Sequence, residues 1–372
     1  MKSFIILVAD DWEIQGDGSG NVAELQYIPA LRLMEIAKEL GIRLTFMVDV
    51  AQRLCLERFK YEDPDLMVQA RLWDDTVCLM AKRGFDVQLH LHPQWIDARY
   101  ENRRFVLGPG RNLGRYNPNQ QQELVSASVD YLGNLLGPIH RGYQVVAFKA
   151  GCWGLQPSEP LLSILAEAGI KIVLGVRDGM HIPAQGIDYR NLQEPYLPYH
   201  PRFDDVTKVA GEPNQLVVIP LQPHDVGPGD VLRLAWHLAV DAARSKIFGD
   251  RQSHDTARLS TELATRKARF SLSLRPYRTH LKLGKLPFSF MKHAFDQAIG
   301  RLHGYDVELI PILVECHSKD LQSNFDNARR FLEYLCERYR DAVEFWDLST
   351  FCDLIRDKPS LVKSLAASGV CI

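Results

Sequence analysis

A parallel β/α barrel, or a deformed version of one, is the fold class the sequence predicts, and two observations predict it. Strand-like and helix-like segments alternate from the start of the chain, with about eight strand candidates separated by helices. The first candidate, the run "FIILV" (4–8), is apolar at every position, as strands buried on both faces are. At 372 residues, 46% apolar, 24% charged and with a net charge of -2, the chain has room for one large barrel or two smaller domains, and the composition argues against disorder. A doubly wound sheet is the alternative. It loses ground because "ADDWEIQGDGSG" carries acids where a dinucleotide-binding loop would carry glycines.

The elements follow in order. After the strand over 4–9, Leu25, Ile28, Leu31, Met34, Ala37 and Leu40 recur three residues apart, which predicts a helix over 24–40 closed by Gly41. "RLTFMV" (43–48) is the second strand. A helix over about 66–83 ends at Gly84 and leads into "FDVQLHLH" (85–92). A helix over about 119–136 precedes "YQVVAFK" (143–149), and one over 160–168 ends at Gly169 before "IKIVLGV" (170–176). "QLVVIPL" (215–221), "VELIPILVE" (307–315) and "AVEFW" (342–346) complete the strands, with a helix over about 323–339 between the last two.

Chemistry-bearing residues gather at strand ends, where such folds place their sites. Asp10 and Asp11 end the first strand, although aspartate is also a common turn residue. His90 and His92 stand two apart on a strand, so both imidazoles point to one face. With a strand-end carboxylate they would make three ligands and leave an open position, the pattern of a catalytic zinc site. "FKAGCWG" (148–154) offers Lys149 at another strand end, between glycines that allow close backbone approach. His317 ends a late apolar strand in "LVECHSKDL"; a helix-capping or surface histidine is the plainer reading there. Trp12, Trp95 and Trp153 adjoin three of these stretches and are core or cleft-lining residues. Cys152 lies beside them. A nucleophilic role for it is unnecessary where metal-activated water does the work.

Residues 244–302 stand apart, with thirteen Lys or Arg against four Asp or Glu. Their local charge is +9, against -11 for the remaining 31 basic and 42 acidic residues. The stretch reads as a basic, mainly helical insertion, with a division into 1–225, 226–303 and 304–372. A solvated basic face is its simplest role, and contact with an anionic glycan or membrane surface is the functional alternative. No nucleic-acid motif accompanies the charge, so nucleic acid is not an expected partner. The seven cysteines form no C-x-x-C pair, which indicates neither a zinc ribbon nor a disulfide framework. With no membrane-spanning run and no convincing signal peptide, a cytoplasmic location is expected.

Taken together, the acid pair, the histidine motif, "FKAGCWG" and the late histidine resemble, in content and order, the polysaccharide deacetylases of carbohydrate esterase family 4, the NodB-homology family. The nearest likeness is to the WbmS and WalW branch, associated with lipopolysaccharide and O-antigen biosynthesis. It spans about 1–225 and 304–356. The resemblance implies a deformed β/α barrel and a metal-dependent hydrolase, most simply with zinc, that removes an N-acetyl group from an amino sugar of a glycan or its precursor. It matches Asp10 to the general base, Asp11, His90 and His92 to the metal ligands, Lys149 to an arginine that orients the base, and His317 to the general acid. The second metal histidine usually stands four residues after the first, where this chain has Gln94, so His92 is taken to replace it. The apolar faces of Trp12, Trp95 and Trp153, with the backbone at Cys152, are the expected substrate contacts. Hydrolysis of another C–N bond in a small amide, or silent carbohydrate binding, remains as the alternative reading.

Overall fold

The computed structural model describes residues 3–229, 277–284, 287–305, 307, 309–322 and 324–363. Of the basic stretch, 244–276 and 285–286 lie outside the described residues.

The framework is a curled sheet of nine strands: β1 (Ser3–Trp12), β2 (Thr45–Asp49), β3 (Asp86–Leu91), β6 (Ala147–Ala150), β7 (Ile172–Leu174), β10 (Val217–Val218), β13 (Lys282–Leu283), β14 (Leu309–Cys316) and β15 (Val343–Trp346). Their order is β10-β7-β6-β3-β2-β1-β14-β13, with β15 pairing β1, and every pairing is parallel. One edge of β1 is shared: β15 takes Phe4–Leu7 and β2 takes Ala9–Trp12. This is the expected deformed β/α barrel. Short antiparallel pairs lie outside the sheet: β4 (Arg99–Glu101) with β5 (Arg104–Val106), β8 (His181–Ile182) with β9 (Ile187–Asp188), and β11 (Pro223–Val226) with β12 (Tyr277–His280). The strand β13 falls inside the stretch read as mainly helical, and it forms an edge of the main sheet beside β14.

Both faces of the strands are buried, and alternation assigns each residue to one of them. Phe4, Ile6 and Val8 of β1, with Phe46, Val48, Val87, Leu89, Phe148, Val173, Ile312 and Val314, pack outward against the helices. Ile5, Leu7 and Ala9, with Met47, Ala147, Ile172, Leu174 and Leu313, fill the interior. Beneath them lies a floor of Leu348, Phe351 and Ile355 from the helix Leu348–Asp357, joined by Val362. Interior positions are therefore apolar at the amino ends of the strands and become polar toward the carboxyl ends.

The helices begin and end as their sequences dictate. Asn117 and Gln120 form a capping box at the start of Pro118–Leu136, and Asp63 accepts from the Asp65 N–H ahead of Pro64–Lys82. Gly41, at φ 66°, closes Ile28–Leu40 in the left-handed conformation. Among the described residues no helix is long and apolar enough to cross a membrane.

Candidate metal centre and active site

Period-two alternation decides which strand-end residues meet. On β1, Asp11 and then Glu13 continue the interior series of Ile5, Leu7 and Ala9, while Asp10 and Trp12 continue the outward series. On β14, Glu315 and then His317 point inward, and Cys316 points outward. His90 and His92 extend the inner face of β3, and Lys149 that of β6, where it lies beside His90 in register.

Glu13 is the carboxylate brought to the two imidazoles. Its Oε2 lies 3.3 Å from His90 Nε2 and in direct ion-pair contact with His92 Nε2. These donor atoms lie within 4.8 Å of one another and are buried. The imidazole nitrogens point their second atoms to fixed partners. His90 Nδ1 faces the Lys149 carbonyl at 2.9 Å, so it donates there and leaves the Nε2 lone pair toward Glu13. His92 Nδ1 faces the side-chain amide of Gln94 at 3.1 Å and the Cys152 thiol at 3.8 Å. An amide turned over presents oxygen in place of nitrogen. With Oε1 there, His92 too donates from Nδ1 and keeps Nε2 for a ligand. Two nitrogens and one oxygen suit zinc; the His90–Glu13 separation of 3.3 Å matches the edge of a tetrahedron with bonds of about 2.0 Å, while the closer His92–Glu13 contact would have to open toward that edge to admit an ion. The donor set fits a divalent ion.

Asp11 sits one layer deeper. Lys149 Nζ lies 2.7 Å from its Oδ1 and 2.8 Å from Glu315 Oε1, and His317 Nε2 lies 3.3 Å from its Oδ2. His280 Nε2 holds the other Glu315 oxygen at 2.6 Å, with Arg177 Nη1 3.3 Å from His280 Nδ1. Asp11, Glu315 and His317 form a second cluster with ligand spacing, but the Lys149 ammonium already bridges its two carboxylates.

Burial dominates the protonation states. It raises Asp11 above the usual carboxylate range, against the pull of Lys149. Burial would raise Glu13 as well, but His92 and Lys319 overcome it and hold Glu13 well below that range. Burial opposes charge on His92, yet the Glu13 charge beside it lifts it well above an ordinary histidine. His317 is pushed well below one by burial and then by Lys282.

The remaining expected site residues disperse. Asp10, fully buried on the outward face, accepts from the Ser318 N–H at 2.6 Å and does not share the inner face with the imidazoles. Burial raises its carboxyl to about 6, with Cys316 and Ser318 pulling it back in part. Trp12 is core, donating to the Gln26 carbonyl and packing on Trp73. Trp95 is buried and donates to Asp49. Cys152 lies against His92. Gly151 follows β6, and the turn then takes Cys152 and Trp153 at φ 52° and 60°, setting the thiol against His92. Trp153 stays half-buried with Arg177 over its ring. Glu13, Glu315, His280 and Lys319 were not foreseen. A spacing of two between Asp11 and Glu13 was the available signal for the first.

No protein-family model matches the chain, and no curated protein matches its sequence. Solved structures match its fold. One from Mycobacterium smegmatis, bearing the name polysaccharide deacetylase, superposes with a TM-score of 0.52 at 11% identity over 98% of this chain and 93% of that one. A Pseudomonas aeruginosa PAO1 structure under the same name gives 0.47 at 13% identity over 95% and 91%. The PuuE allantoinase gives 0.47 at 13% over 95% and 90%. At such identities the likeness is one of fold: this chain has the deformed β/α barrel of the NodB-type polysaccharide deacetylases.

Proposed function

We propose that this protein is a metal-dependent hydrolase that removes an N-acetyl group from an amino sugar of a glycan or glycan precursor, with lipopolysaccharide precursors as the first class to try. The observation that carries the reading is the convergence of Glu13, His90 and His92 beside Asp11 and His317 on one inner face. The fold it shares with a structure named as a polysaccharide deacetylase supports it.

In this reading Glu13, His90 and His92 hold the ion. Held there, a divalent ion would supply carbonyl polarisation and acidification of water. Asp11 is the base. Lys149 fixes its Oδ1, so Oδ2 is the oxygen left to take the proton of the attacking water. His317, neutral at rest because it is buried, lies 3.3 Å from that oxygen. It passes the proton on to the amine as the C–N bond breaks, which balances water against acetic acid and free amine, the acid then giving its proton to solvent.

Elemental analysis and an acetate-release assay on a panel of N-acetyl sugars test the proposal. About one divalent ion per chain is expected, lost in Glu13→Ala, His90→Ala and His92→Ala but kept in Asp11→Ala. Acetate release should need the metal. A metal-free protein in which Lys149 and Lys319 merely neutralise the acids would refute the reading. Turnover of small non-sugar amides alone would select the other hydrolase activity.

A further inference from the structure

We propose that Lys319 is a positioning residue of the metal centre: its ammonium takes one oxygen of Glu13, so that Glu13 ligates the ion through the other oxygen alone. The inference rests on Glu13, His90 and His92 being the ligands.

Backbone register brings the pair together. Asp10 pairs with Cys316 across adjacent parallel strands, and three residues further along each chain stand Glu13 and Lys319. The turn between them is pinned, since the Ser318 N–H donates to Asp10 Oδ1 at 2.6 Å. Lys319, with its side chain only 7% exposed, sends Nζ to Glu13 Oε1 at 2.6 Å and to the Ile14 carbonyl at 2.8 Å. Both imidazoles face Oε2 instead. The two carboxylate oxygens thus have different partners before any ion arrives. An oxygen committed to a buried ammonium is a poor second ligand, because binding it would bring a divalent cation against that charge. One-oxygen ligation keeps the coordination number low and a position open for chemistry.

Cobalt(II) in place of zinc gives the test, because its visible bands are strong in four-coordinate sites and weaker in five-coordinate ones. The wild-type protein loaded with cobalt should show the strong, four-coordinate band. In Lys319→Met, freed Oε1 should join the shell and lower the band about twofold with the metal still bound, or Glu13 should collapse onto His92 and the metal be lost. Lys319→Arg, which can still hold Oε1, should restore the wild-type spectrum. A wild-type band already five-coordinate, a Lys319→Met spectrum equal to wild type, or equal loss in both variants would overturn the role of Lys319 while leaving the metal centre standing. Wild-type protein that takes up neither cobalt nor zinc overturns the centre and this role with it. If Lys319→Met does not fold, Lys319→Gln, uncharged but still able to reach Oε1 with a neutral N–H, is read against wild type in the same way, and a spectrum and affinity equal to wild type overturn the need for the ammonium.

Discussion

Asp10 and Asp11 are adjacent in the chain and differ in nearly everything that matters chemically. One lies against Ser318 on the helix-facing side, the other against Lys149 and His317 on the inner side. Asp11→Asn should therefore cost at least about 100-fold in turnover, as removing a general base does, with metal retained. Asp10→Asn should keep turnover within about tenfold and instead change stability with pH. The Asp10 carboxyl is raised from 3.8 to about 6, so the stability it contributes is full below the unfolded value and is lost as pH rises through 6. The asparagine variant does not titrate. It should gain on wild type by up to about 3 kcal/mol between pH 4 and pH 7.5, seen as a widening gap in melting temperature. Parallel melting curves across that range would contradict the burial argument. The sequence reading, with Asp10 as the general base and Asp11 as a metal ligand, set both acids at one centre. The information lay in the pleat: strand β1 continues to Trp12, and residues 11 and 13 share a face while 10 does not.

At the scale of elements, the turn after β6 shows how tightly the backbone is drawn around the imidazoles. A Cβ on Gly151 would lie 2.8 Å from His92 Cγ and would also meet the Leu91 carbonyl. Gly151→Ala should push the His92 ring aside and weaken metal binding tenfold or more, and should also lower the melting temperature of the metal-free protein, because the Leu91 carbonyl has to move as well. Chelator competition measures this, and unaltered affinity would show that the ring can shift harmlessly. The apolar strands were legible because burial on both faces leaves unbroken runs of Val, Ile, Leu and Phe. The helix Val50–Phe59 was not. It follows β2 with no breaker between them, and it buries Gln52 and Arg53, the latter held by a two-pronged pair with Asp74 and a contact with Glu57. Buried polar residues erase the apolar period by which a helix is recognised. Gln94 illustrates the same limit: its role, steadying His92 from behind, depends on a neighbour that only the fold supplies.

The whole molecule closes through a side chain as well as through strands. Gln222 donates to the Pro311 carbonyl at 2.9 Å and to the Tyr196 carbonyl at 3.1 Å, and accepts from the Leu313 N–H at 3.0 Å, so its amide ties the segment after β10 to β14. Gln222→Ala leaves buried backbone groups unpaired and should destabilise the fold by about 2–5 kcal/mol. The urea midpoint should fall with an unchanged slope; a shift under about 0.5 kcal/mol would show that the barrel does not depend on this tie. No local pattern announces such a long-range contact, just as none announced that β13 would complete an edge.

The first strand, finally, finds its neighbours late. Its partners along one edge and half of the other, β14 and β15, are made more than 300 residues after it. At about 5–20 residues per second a ribosome needs roughly 15–60 s to deliver them. Through that interval "FIILV", among the most water-averse segments of the chain, has no strand partner of its own, since β2 pairs only Ala9–Trp12 beyond it. A nascent chain of this design therefore carries an exposed adhesive segment for most of its synthesis, and guarding that segment falls to whatever helpers attend the emerging polypeptide.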